Sequence, residues 1–427
     1  MPFEALFVPP ALREATDDRA WLDALTAFEA ALLESADAAG LIADEGVLLP
    51  PQLDPERIMR AARAAGNPVP ALVEALDRPN AHLGATSQDA MDSAAMLIAG
   101  RARAQIDVEL GFVADSCAAL AEQHLSTPMA ARTLLRQALP TTFGLKAAGW
   151  LVAVDDARDR LAAVPLEVQL GGAAGTLAAY GDKGTLMLSL MARHLGLEEP
   201  VLPWHTRRGR VGELGAALAL AAGAVEKIAL DITLMAQDEV GEVSESAAGG
   251  RGGSSTLPHK RNPVGSALAI ACAHGVRGAA SVLIEAQAQE HERAAGAWQA
   301  EWDALSRALA LCGGAAFNLR EALEGLEVRP ERMQANLELT GGLLLAEAVV
   351  TALVAAGQDR SSAKAAVSTA TRRAAESGRP LREELIDDVA VQLSADEIDR
   401  ALDPAAYLGS ADELVERALK AHARRGE

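Results

Sequence analysis

The stretch Val211–Met235, VGELGAALALAAGAVEKIALDITLM, decides the fold. Leu214, Leu218, Ala221, Val225, Ile228, Ile232 and Met235 follow one another at spacings that alternate four and three. That is the pattern of an α-helix packed along a seam. No proline interrupts the interval from His205 to Leu257. The spacing predicts a helix from about Val211 to Ser246, roughly 50 Å long at 1.5 Å per residue. One helix of that length buries too little of itself, so it requires long neighbours from this chain or from copies of it. Proline-free intervals at Asn80–Thr127, Thr141–Val164 and Val264–Arg329 can supply them.

The remaining prolines set the domain expectation. Residues 1–98, broken by Pro50, Pro51, Pro55, Pro68, Pro70 and Pro79, read as an N-terminal helical region. Residues 99–341 read as the long-helix bundle, and residues 342–427, with breaks at Pro380 and Pro404, as a C-terminal helical region. Val164–Leu170 alternates weakly but runs into Gly171, Gly172 and Gly175, which favours a loop over a strand. The expected fold is all-α, in three helical regions, with the central bundle assembling into a multi-subunit helical core.

Composition bounds the function. Half of the 427 residues are hydrophobic yet only 3% are aromatic, so small aliphatic side chains must bring helices close together. A formal net charge of -20 argues against nucleic acid or an anionic membrane as the main partner. Against that background Arg207, Arg208, Arg210, Lys260 and Arg261 form local positive islands, suited to a small polyanionic ligand. Cys117, Cys272 and Cys312 are far apart and form no Cys-x-x-Cys pair, so neither a disulfide framework nor a zinc site is expected. A reducing cytosol fits best. No signal-peptide pattern is visible, and no uncharged stretch reaches the roughly 18 residues of a membrane span.

Chemistry concentrates in Gly252–Pro263, GGSSTLPHKRNP. A helix cannot cross Gly-Gly, Pro258 and Pro263, so this is a loop, and core packing calls for no such density of Ser, His, Lys, Arg and Asn. The block resembles the Gly-Ser-Ser-x-x-Pro-x-Lys-x-Asn signature of the fumarase/aspartase superfamily of lyases. Its Thr-Leu-Pro-His-Lys-Arg-Asn-Pro-Val form is similar to adenylosuccinate lyases and, more closely, to 3-carboxy-cis,cis-muconate cycloisomerases.

Five other segments carry the resemblance, four of which read as follows. Gly84-Ala-Thr-Ser-Gln-Asp89 places small hydroxyls ahead of a helix, where OH and backbone N–H groups can face an anion or cap the helix. Asp89 or Asp92 can orient a basic partner. Gly171–Leu177 is glycine-rich, and Pro203–Arg210 precedes the long helix, with Gly209 where related enzymes often carry aspartate between two arginines. His205 reads as structural. In His291–Trp302, Arg293 is a candidate carboxylate clamp or an ion-pair partner of Glu290 or Glu301, and the tryptophans read as packing.

The segment Arg132–Gly144 discriminates. Adenylosuccinate and argininosuccinate lyases carry histidine after its threonine, whereas Leu134 follows Thr133 here. Expelling an amine requires a proton donor, while a carboxylate leaves with far less help. Leu134 therefore points away from C–N lyases and towards making or breaking a lactone C–O bond.

The resemblance implies the following site. Ser254 exchanges a proton next to a carboxylate through an aci-carboxylate, Lys260 stabilises its alkoxide and the developing charge, and Asn262 supplies neutral hydrogen bonds. Thr86, Ser87, Thr133, Arg208, Arg210, Ser255, His259 and Arg293 bind substrate carboxylates. No cofactor or metal is implied. The implied reaction is lactonisation of a carboxymuconate by a cytoplasmic homotetramer with shared active sites. A C–N lyase and a catalytically silent helical scaffold are the alternatives.

Overall fold

The computed structural model describes residues 3–43, 53–253, 256–257 and 259–426. Their regular structure is almost entirely helical, as expected. The chain divides into two compact units: Met1–Phe112 with Asp156–Ala229 and Gly265–Arg320, and Val113–Asp155 with Leu230–Val264 and Glu321–Glu427.

In the first unit, Asp17 caps the helix Asp18–Ala38 by accepting a hydrogen bond from Ala20 N at 2.8 Å. That helix buries Trp21, Leu22, Leu25, Phe28 and Leu32 and packs against Gly184–Leu195. The long helix Gly209–Met235 buries Leu214, Leu218, Ala221, Val225 and Ile228, the expected seam. Each buried leucine contributes about 1.5–3 kcal/mol. Small residues set the approach: a Cβ added at Gly215 would lie 3.1 Å from Leu283 of the helix Val264–Glu285. Val264–Glu285 has the length and apolarity of a membrane span. It carries Arg277, paired with Glu226 of the Gly209 helix, and buries Cys272, Val276 and Leu283 as a bundle helix does.

In the second unit, the helix predicted to reach Ser246 stops at Met235. Gly241, at φ 64°, turns the chain, and Glu242 N donates back to Met235 O at 2.9 Å. Glu242 is fully buried beneath Arg132 and Asn336, and a continuing helix could not deliver it there. Val243–Ser244 then pairs with Glu327–Val328.

The sequence pattern also concealed a hairpin. Strand β1, Pro128–Thr133, pairs antiparallel with β2, Arg136–Thr142. Its two-residue turn is Leu134–Leu135, at φ 50° and 64°. A turn of this kind needs positive φ at both central positions and normally uses Asn-Gly, which is why two leucines did not announce it. Further along, the helices from Ala346 to Ala401 build a core on Val349, Leu353, Val367, Leu381 and Ile398.

His124 ends the helix Ser87–Gln123, with Nδ1 3.1 Å from Thr127 Oγ1 and its ring edge-on to Phe143 at 5.3 Å. Burial lowers its pKa. Because the unfolded chain takes up that proton more readily, the contribution of His124 to stability should be flat in pH above about 6.5 and decline below it. Denaturant unfolding followed across this range should show the slope, and His124→Gln should remove its share. An identical slope in the variant would contradict this assignment.

Candidate active site

Two clusters, one in each unit, contain the residues singled out from the sequence. The first is built around Asp89 at the start of the helix Ser87–Gln123. Its fully buried carboxylate accepts from Thr86 N at 3.0 Å, Gly171 N and Gly172 N at 2.9 Å, and lies 2.7 Å from His205 Nε2. One side chain thus ties the hydroxyl segment, the glycine loop and the segment before the long helix together. The glycine at 171 is obligatory, since a Cβ there would lie 2.8 Å from His205 Cε1. Thr86 and Ser87 themselves remain half-buried.

One turn further, Asp92 receives Arg208 through Nη1 at 2.7 Å and Nη2 at 3.0 Å, and Trp298 Nε1 at 3.0 Å. Arg208 also donates to both oxygens of Glu301, through Nε at 3.0 Å and through Nη2. The indole of Trp204 lies 4.8 Å from its guanidinium carbon. Burial pulls the Arg208 pKa down, but Asp92 and Glu301 outweigh it and hold it raised. Burial raises Glu301 against the pull of Arg208. Two carboxylates share one guanidinium, so Arg208 is spoken for within the protein.

Arg293 forms neither expected ion pair. Its Nε donates to Gln88 Oε1 and its Nη2 to Ala173 O, both at 3.2 Å. Gln88 in turn donates to Asp92 and to His205 O. Arg210 pairs with Glu167. Asp89 and Asp92 each hold a basic partner, while Glu301 and Gln289, which donates to Glu301 at 3.0 Å, were not singled out as site residues from sequence. The helical spacing of Trp298 and Glu301 was the available signal.

The second cluster holds the signature loop. Ser254, Ser255 and Pro258 lie outside the described residues. The loop's neck is closed by Asn262, whose backbone N and Nδ2 both donate to Gly252 O, at 2.9 and 3.0 Å. Gly252 sits at φ 66°, and a Cβ there would lie 2.4 Å from Asn262 O, so only glycine closes this neck. His259 and Lys260 are exposed on the loop. Arg251 is anchored to Glu321, and Arg261 to Glu327 at 3.1 Å.

In the same unit, Arg132 grips the buried Glu242 through two bonds of 2.9 and 2.7 Å. Asn336 Nδ2 completes that carboxylate at 2.8 Å, and Gln137 donates to Asn336 O. These bonds anchor the hairpin just behind its turn, where Arg132 pairs with Gln137. Thr133 faces Arg136 as its closing pair, and Leu134 and Leu135 project from its tip, 98% and 81% exposed. Among the described residues, no group of three His, Cys, Asp or Glu side chains is arranged to hold a metal ion.

Comparison with known proteins agrees with this geometry. Residues 70–278 match the lyase family model and residues 342–418 the adenylosuccinate lyase C-terminus model. A 3-carboxy-cis,cis-muconate cycloisomerase from Pseudomonas aeruginosa is 44% identical, over 98% of this chain and 96% of that one. A nitrosuccinate lyase from Streptomyces davaonensis is 42% identical, over 95% of this chain and 91% of that one. The crystal structure of 3-carboxy-cis,cis-muconate lactonizing enzyme from Pseudomonas putida superposes with a TM-score of 0.92 at 41% identity, covering 100% of this chain and 99% of that one. Fold and site together define a lyase of the fumarase/aspartase type, and within that class the chain belongs to the 3-carboxy-cis,cis-muconate cycloisomerase family.

Proposed function

We propose that this enzyme converts 3-carboxy-cis,cis-muconate to 4-carboxymuconolactone, without a cofactor, in aromatic (protocatechuate) catabolism. The observation that carries this reading is the signature loop, cinched at Gly252 and Asn262 and presenting Lys260. One substrate carboxylate oxygen forms the C–O bond at the ring-closing carbon. The electron pair of the double bond moves into the neighbouring carboxylate as an aci-carboxylate. Ser254 then delivers a proton to the α carbon, and Lys260 stabilises both the aci-carboxylate and the serine alkoxide left behind. Asn262, spending its amide on Gly252 O, holds the loop in shape.

Thr86, Ser87, Thr133, Arg210, Ser255, His259 and Arg293 are assigned to the substrate carboxylates. The full engagement of Arg208 with Asp92 and Glu301 supports an orienting role for it in place of direct carboxylate contact. We also assign residues 1–98, 99–341 and 342–427 to three domains, the last supported by its separate family match over 342–418. Three buried cysteines, none in a disulfide, fit a cytoplasmic location.

The 42% identical nitrosuccinate lyase favours a second reading. Elimination from a nitrosuccinate would expel nitrite, the base of a fairly strong acid, so it too needs little help from a donor at position 134. Ultraviolet assays with 3-carboxymuconate, nitrosuccinate and adenylosuccinate separate the possibilities. Consumption of the first alone supports lactonisation, and consumption of either other substrate instead overturns it.

The assembly is assigned as a homotetramer with shared active sites. Support comes from the hairpin tip, where two leucines occupy left-handed backbone and still expose their side chains. Such an arrangement is costly unless another copy covers it. Leu134→Asn with Leu135→Gly keeps the turn and deletes the apolar surface. Light scattering should then show smaller species and turnover should fall. A variant that remains tetrameric and fully active would place the tip outside every interface.

A further inference from the structure

A cavity of about 910 Å³ opens in the first unit, and none of the roles assigned above uses it. Its size is that of a small-molecule site. Trp21, Met59, Met91 and Trp302 give it apolar walls. Two donors in its lining are buried without a hydrogen-bond acceptor among the described residues: Arg13 Nε and Trp302 Nε1. Buried N–H groups are nearly always paired, so a pair of orphans lining one cavity points to an acceptor that arrives with a ligand. Four acids, Glu4, Asp17, Asp18 and Asp303, stand on the wall with the cations Arg13, Arg19, Arg63 and Arg307. Asp17 caps a helix through Ala20 N, and Asp303 lies 3.9 Å from Arg307.

The cavity shares its walls with the candidate substrate segments. Met91 lies one helical turn beyond Ser87 on the same helix, hence on the same face. Trp302 closes the segment His291–Trp302, and its ring meets Trp298 edge-on at 4.9 Å, the tryptophan bonded to Asp92.

We infer that this cavity receives the third carboxylate of the substrate, with Arg13 and Trp302 as the donors that select a tricarboxylate over a dicarboxylate. The inference rests on the tricarboxylate reading of the reaction above. A guanidinium N–H supplies charge-assisted binding, an indole N–H supplies direction, and the apolar walls keep water from competing.

The test is calorimetric titration of the full-length protein with propane-1,2,3-tricarboxylate and with glutarate, which share a skeleton and differ by that one carboxylate. Wild type should bind the tricarboxylate roughly 10- to 100-fold more tightly. Arg13→Met should abolish the difference while leaving glutarate affinity unchanged, which also reports an intact fold. Trp302→Phe, which keeps the ring, should shrink the difference roughly three- to tenfold. If Arg13→Met does not fold, Trp302→Phe decides alone. Equal affinities in wild type, or discrimination retained in the folded variants, overturns the inference. Turnover of 3-carboxymuconate is scored separately. Its absence in wild type would sink the proposed reaction, while the titration still decides whether this cavity reads a third carboxylate.

Discussion

Ser254→Ala should lower kcat by about 10³- to 10⁴-fold with KM nearly unchanged. The serine oxygen carries the proton to the α carbon, and water entering the gap has neither its position nor its activation. The binding groups of the 84–89 and 291–302 segments are untouched by the change, so the substrate should still bind. Lys260→Met should cost about 10²- to 10³-fold, because it removes the charge that stabilises both the serine alkoxide and the aci-carboxylate. The two losses should not add. Once the serine is gone the lysine has no alkoxide to stabilise and keeps only its hold on the aci-carboxylate, so the double variant should lose less than the product of the two single losses. Steady-state kinetics on the three variants checks this. Additive losses would mean that the two residues act on separate steps.

The largest structural effect should come from Arg208→Met. Asp92 and Glu301 would lose their shared cation inside the protein, a disruption that typically costs about 3–5 kcal/mol. Trp298, Gln88 and Gln289 would remain as neutral donors, which stops the loss from being larger. Burial already raises Glu301 against the opposing pull of Arg208, and deleting the arginine removes that pull. A carboxyl raised in the folded state favours folding while protonated, and that advantage is lost as pH rises through its folded pKa. The deficit of Arg208→Met should therefore be smaller near pH 5 than near pH 8, roughly, and Glu301→Gln on that background should recover part of it. Denaturant midpoints at both pH values test the claim. A deficit independent of pH would show that Glu301 stays charged.

The seam from Leu214 to Ile228 was legible because a heptad-like spacing leaves few alternatives to a packed helix. The loop at 252–263 was legible because Gly and Pro forbid a helix whatever surrounds them. Neither depends on distant residues. The end of the long helix does: it falls at Met235 because Glu242 must reach Arg132, 110 positions away, and Asn336, 94 positions away. Local sequence holds no trace of such a demand. The hairpin was hidden for another reason, since Leu134–Leu135 is a poor local match to the backbone it adopts.

Within the candidate site, motif spacing found Arg208 and Arg293 but not their engagements. Arg208 pairs with carboxylates 116 and 93 positions distant, and Arg293 reaches Gln88 across 205. Gly209, standing where a local aspartate would orient Arg208 and Arg210, is answered by Asp92 and Glu301 for the first and by Glu167 for the second. The Arg13 and Trp302 donors were invisible in sequence because an orphaned N–H is a property of packing.

The most direct measurement is proton NMR of the product formed from 3-carboxy-cis,cis-muconate in D₂O. Serine delivery to the α carbon predicts 4-carboxymuconolactone with one carbon-bound deuterium beside the acid group, formed by wild type and about 10³- to 10⁴-fold more slowly by Ser254→Ala. Unchanged 3-carboxymuconate, or the same labelled lactone at an undiminished rate from the alanine variant, would contradict the account.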